Sequence, residues 1–132
     1  MPHVFAPSFH QHPFRTPTER NAFQLFDLIL EQDPLVWFHG TDDLNRQSIF
    51  ASGFRPGKVT GTTSFCATSG VPLHYACMRR SGSPASGLVI AVQLDPLVAS
   101  RMERTPTLDL DPTRVALTFL AFCVVPSSYV HQ

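Results

Sequence analysis

A chain of 132 residues falls in the size range of one compact domain, and with apolar residues at 43% and eleven Phe it carries the material of a core. Ten Lys plus Arg balance ten Asp plus Glu, which excludes a broad electrostatic surface for nucleic acid or anionic membrane and leaves only a local basic patch open. No apolar run approaches the ~20 residues of a membrane helix, the start Met1-Pro2-His3-Val4-Phe5 lacks the pattern of a secretory signal, and Cys66, Cys77 and Cys123 each sit in an apolar stretch, so packed free thiols in a reduced cytosol are expected.

Residues 1–15 carry His3, His10, His12 and three prolines without sustained periodicity and read as an extended N-terminal arm, leaving 16–132 as a single domain. The histidines are too scattered for metal-ligand spacing. Thr16-Pro17-Thr18-Glu19 fits a capping box with Pro17 at the first helical position. Ala22, Phe23, Leu25, Phe26, Ile29 and Leu30 then recur at helical spacing to about Gln32. Pro34 breaks that pattern, and Leu35-Val36-Trp37-Phe38 reads as a short buried strand ending in His39-Gly40-Thr41. Asp42 or Asp43 can cap a helix carrying Leu44, Ile49 and Phe50, which Gly53 stops ahead of the turn Phe54-Arg55-Pro56-Gly57.

A strand is expected near Thr63-Ser64-Phe65-Cys66, then a helix from Val71-Pro72 through Tyr75 to Arg79, and an exposed loop at Ser81-Gly82-Ser83-Pro84. Leu88 to Leu94 is the clearest strand, closed by Asp95-Pro96. A helical turn at 97–101, a polar loop over 103–112 and a long strand from Val115 to Val125 complete the chain. Helices come early and strands dominate late, which points to α+β rather than a doubly wound sheet.

Several motifs fail. Gly53-Phe54-Arg55-Pro56-Gly57-Lys58-Val59 is one residue short of a phosphate loop, and Val59 stands where a magnesium-binding hydroxyl belongs. The three-glycine dinucleotide fingerprint and the Gly-x-Ser-x-Gly elbow are absent. Cys66, His74 and Cys77 lack paired Cys-x-x-Cys spacing, so no metal is expected.

What remains is Trp37-Phe38-His39-Gly40-Thr41, an apolar strand that ends on an imidazole at the rim of the core. Glycine beside it permits close approach of a ligand to the backbone. A strand, Ser69 and a helix bearing Tyr75 follow, with Tyr75 36 positions after His39. Over roughly residues 35–130 this order resembles the ADP-ribosyltransferase family of the diphtheria-toxin and poly(ADP-ribose) polymerase type. The resemblance implies two small packed antiparallel or mixed sheets with flanking short helices, and NAD as co-substrate.

It also implies roles residue by residue. His39 would hydrogen-bond the nicotinamide ribose, the Gly40 backbone would hold the carboxamide, and Tyr75 would stack on the cationic ring. Ser69 would touch the same part of the ligand, with Thr41 and Arg55 toward the ribose or pyrophosphate. The family's late-strand glutamate, placed by Val124-Val125-Pro126, falls at Thr118, and 115–129 holds no acidic residue. Thr118 can hydrogen-bond a hydroxyl but is no base near neutral pH. Glu103, Asp109 or Asp111 is the alternative source of a carboxylate. The expected activity is therefore transfer of one ADP-ribose to an acceptor, a protein before a nucleic acid, with nicotinamide released, and the small size suits a toxin or effector. The rival readings are a degenerate NAD- or protein-binding module and an NAD-dependent RNA 2′-phosphotransferase gripping phosphate through Arg79 and Arg80.

Overall fold

A computed structural model describes residues 3–79, 85–102 and 105–130, without the side chain of Arg79. Its strands are β1 (Val4–Gln11), β2 (Val36–Asp42), β3 (Thr63–Cys66), β4 (Gly87–Leu94), β5 (Thr107–Leu110) and β6 (Leu117–Val125). Its α-helices are α1 (Leu28–Glu31), α2 (Arg46–Ser52), α3 (Gly70–Arg79) and α4 (Pro96–Ala99). The strands form one mixed sheet in the order β1-β6-β4-β2-β3-β5. All neighbours are antiparallel except β1 and β6.

The α+β class expected from the sequence is present; the two packed sheets are not. The six strands are continuous, but β2 and β3 share only the pair Phe38↔Cys66, whereas β2 and β4 pair from Val36↔Gln93 to Asp42↔Gly87. Two blocks, β1-β6-β4-β2 and β3-β5, thus meet at a narrow joint rather than face to face.

Both faces of the larger block are covered, which is why β4 is an unbroken apolar run instead of an alternating one. Leu88, Ile90, Val92 and Leu94 pack with Trp37, Phe54, Phe65 and Phe119 on one face. Val89 and Ala91 pack with Phe26, Phe38, Leu73 and Ala76 on the other. Helix α3 supplies that second cover, and two glycines let it lie close. A Cβ on Gly40 would stand 1.9 Å from the Pro72 carbonyl oxygen, and one on Gly87 2.9 Å from that of Ala76.

Three segments differ from expectation. Within the arm expected over 1–15, the Val4–Gln11 stretch is an edge strand parallel to β6. Phe5 and Phe9 anchor it in edge-to-face and stacked contacts with Phe50, Phe119 and Phe122. The long helix expected from Thr16 to Gln32 is instead a 3₁₀ turn, Glu19–Asn21, and the short α1. Ala22 and Phe23 are consecutive left-handed residues, at φ 55° and 58°, which no α-helix accommodates. Tertiary bonds take over the backbone donors a helix would have used: Leu25 N–H donates to Ser69 Oγ at 2.7 Å and Phe26 N–H to Glu31 Oε2 at 3.1 Å.

The expected polar loop over 103–112 contains β5, an edge strand whose outward residues stay polar because solvent covers them. The loop read at 81–84 lies outside the described residues. Among the described residues, no helix is long and apolar enough to cross a membrane.

Candidate functional site

Beyond Phe38, β2 has no pairing with β3, and a cleft opens where the two blocks diverge. It holds about 650 Å³, within the range of about 300–1,000 Å³ usual for small-molecule sites. His39, Gly40, Thr41 and Asp42 from β2 form one wall, Ser64 and Cys66 from β3 another, and Pro72 and Tyr75 from α3 a third. Arg55 and Thr62 line it from the loop that precedes β3.

His39 is the most constrained polar group there. Its Nδ1 lies 2.8 Å from the Ser64 carbonyl oxygen, so Nδ1 carries the proton and Nε2 is the acceptor in the neutral ring. Among the described residues Nε2 has no hydrogen-bond partner. Phe54 and Phe65 flank the imidazole, with ring centroids 5.0 and 5.6 Å away. Burial pushes its pKa below the ordinary value, with the Ser64 bond opposing. The ring is therefore neutral near pH 7 and offers one lone pair.

Tyr75 is 47% exposed, on the side of α3 away from buried Leu73 and Ala76. A core aromatic in that helix would be covered; this one is not. The Arg55 guanidinium is exposed and makes no ion pair or hydrogen bond among the described residues, while the Arg55 carbonyl accepts from Thr63 Oγ1 at 3.0 Å. Thr41 Oγ1 accepts from Asn45 Nδ2 at 2.9 Å. Asp42 is buried and caps the following turn, its Oδ1 accepting from Leu44 N–H at 2.9 Å. Burial, with Asp109 nearby, pushes the Cys66 thiol up, which leaves it a protonated and poor nucleophile.

Of the residues singled out from the sequence, His39, Gly40, Thr41, Arg55 and Tyr75 line this one cleft, and Ser69 and Thr118 do not. Ser69 is fully buried; its Oγ donates to Glu31 Oε2 at 2.5 Å and its N–H to Glu31 Oε1 at 3.0 Å. It is a post under the 22–31 segment rather than a ligand contact. Thr118 pairs with Gln93 and with Val4, whereas the β6 residue in line with His39, through Ile90, is Phe122. Two strand spacings and four residues along β6 separate Thr118 from His39, roughly 16 Å.

The alternative carboxylates divide. Asp111 is bound by Thr113 and pairs with Arg114, and Glu103 lies outside the described residues. Asp109 accepts from the Oγ of cleft-lining Ser64. Ser64 itself was missed, since only the β3–β5 register brings it beside Asp109. Gly40 carries a different reason from the expected one, because the backbone that approaches it is that of α3. Among the described residues no group of three His, Cys, Asp or Glu could hold a metal ion. Of the RNA-directed pair, only the backbone of Arg79 is described and Arg80 lies outside. Compared with known families, curated proteins and solved structures, the chain matches none.

Proposed function

We propose that the cleft binds NAD and that the chain transfers one ADP-ribose to an acceptor, releasing nicotinamide. The observation that supports this most is a neutral, oriented His39 with a free Nε2 in the same cleft as an exposed Tyr75. His39 Nε2 accepts a hydrogen bond from a hydroxyl of the nicotinamide ribose. The Tyr75 ring stacks on the flat cationic base. The unpaired β2 edge at Gly40 meets the carboxamide, and the unneutralised Arg55 meets the pyrophosphate through charge-assisted hydrogen bonds. The glycosidic C1′–N bond breaks with its electron pair leaving on nicotinamide, and the acceptor atom bonds C1′ as its proton departs. Rate comes chiefly from positioning a cation-like sugar between leaving group and acceptor.

NAD titration by calorimetry, with nicotinamide release followed in the same samples, tests the reading. Wild type binds and turns over; Tyr75→Ala and His39→Ala stay folded, with NAD affinity or turnover reduced at least about tenfold. Unaltered turnover in both variants discards it. A second reading, binding without transfer, is favoured by one observation: among the described residues no carboxylate hydrogen-bonds His39. NAD binding without nicotinamide release selects it.

A further inference from the structure

Strands β3 and β5 pair in the register Ser64↔Asp109, so these two side chains stand on the same sheet face. Ser64 and Cys66, two residues apart, both line the cleft, while Phe65 between them joins the core. Asp109 therefore shares the sheet face of Ser64 and Cys66 and meets the cleft through Ser64 rather than lining it. Ser64 Oγ donates to Asp109 Oδ1, and the Ser64 carbonyl accepts from His39 Nδ1 at 2.8 Å. One residue thus joins the oriented imidazole to a carboxylate from the far edge of the sheet.

Asp109 is exposed and, among the described residues, makes no ion pair. Asp42, the carboxylate among the residues that line the cleft, is buried and held as a cap.

We propose that Asp109, acting through Ser64, takes the proton of the acceptor in ADP-ribosyl transfer. The proposal rests on the NAD reading above. An acceptor O–H or N–H attacks C1′ as the C1′–N bond breaks and its electron pair leaves on nicotinamide. The acceptor's proton passes to Ser64 Oγ while the serine's own proton moves to the Asp109 carboxylate. The product is a neutral carboxylic acid that returns its proton to solvent. His39 Nε2 is occupied by the ribose hydroxyl during this step and is not the base. Because Asp109 stands on an exposed edge strand, the proton leaves on the open side of the cleft, where an acceptor enters.

The test uses the full chain with NAD and water as acceptor. Asp109→Asn keeps an oxygen that accepts from Ser64 and removes the basicity, so a purely structural role leaves it silent. The expected result is a fall in nicotinamide release on the order of 100-fold, with NAD affinity unchanged. Ser64→Ala falls in the same direction. Added azide, which attacks C1′ with no proton to lose, restores release in Asp109→Asn. Turnover by Asp109→Asn equal to wild type overturns the proposal and leaves the NAD reading standing. So does an equal loss with water and azide, since that marks damage to the cleft. If wild type binds NAD and releases no nicotinamide, the transfer reading and this proposal fall together.

Discussion

The two blocks of the sheet are built differently. Block β1-β6-β4-β2 has long registers: β4 pairs from Val36 to Asp42 of β2 on one side and from Leu117 to Val125 of β6 on the other. Its central residues Leu88 to Val92 are wholly buried. Block β3-β5 has a short register, Thr63↔Leu110 to Cys66↔Thr107, and leaves Ser64, Thr107 and Asp109 exposed. Stability accumulates where both faces are covered, because each residue there removes apolar surface from water. Chemistry needs polar groups that stay reachable, and these collect at the joint where sheet pairing lapses. The cleft is the price of an incomplete seam and the reason a site fits there.

The largest test of that contrast compares two glycines. Gly40→Ala drives a Cβ into the Pro72 carbonyl at 1.9 Å, so α3 must move off the sheet. About 3 kcal/mol of stability is expected to be lost, since backbone rather than a flexible side chain must yield. Gly61, in the loop leading to β3, has φ 71° with nothing within 4 Å of a Cβ, so Gly61→Ala costs only the left-handed strain of about 1 kcal/mol. Urea unfolding of both measures the difference. Equal losses erase the distinction between scaffold and site loop.

Ser69→Ala is next in size. It strips Leu25 N–H of its acceptor and Glu31 of one donor in a fully buried spot, a loss of about 2 kcal/mol. NAD affinity in the surviving folded protein is expected to be unchanged. A ligand role for Ser69 is restored if affinity falls while the unfolding midpoint holds.

What could be read from the chain follows the same division. Strands β2, β4 and β6 and helix α3 were legible because burial writes continuous runs or an amphipathic face into them. The helix drawn over 16–32 was not, because Leu25 and Phe26 are held by Glu31 and by a serine 44 positions from Leu25. Strand β5 was invisible as Thr-Leu-Asp-Leu, since an edge strand facing water needs few apolar residues. At the site, the strand-end imidazole and the helix tyrosine were legible as chemistry and do share a cleft. The pairing of Ser64 with Asp109 was not, because it depends on register between strands far apart in sequence. Thr118 corresponds to the family's glutamate only by its position relative to a proline turn, and its neighbours Gln93 and Val4 keep it in the other block.

The smallest effect concerns pH and asks which block responds first. His12 is buried, its backbone N–H donating to the Phe122 carbonyl at 2.7 Å and its ring 5.5 Å from that of Phe26. It fastens the end of β1 to the scaffold. Burial lowers its pKa most; Arg15 and His10 add to that, and Asp27 and Glu31 oppose it. His39 at the joint is lowered as well, by burial. A folded-state pKa below the unfolded value of about 6.5 means the unfolded chain binds more protons in the window between them. Stability is therefore full above that window and declines as pH falls through it. Thermal unfolding at pH 7 and pH 5 is expected to show Tm lower by a few degrees in acid. His12→Phe keeps an aromatic ring against Phe26, removes the titration, and should flatten part of that slope, the rest belonging to His39. If His12→Phe leaves the slope unchanged, the acid sensitivity resides at the joint alone, and the larger block holds its first strand without regard to the charge on His12.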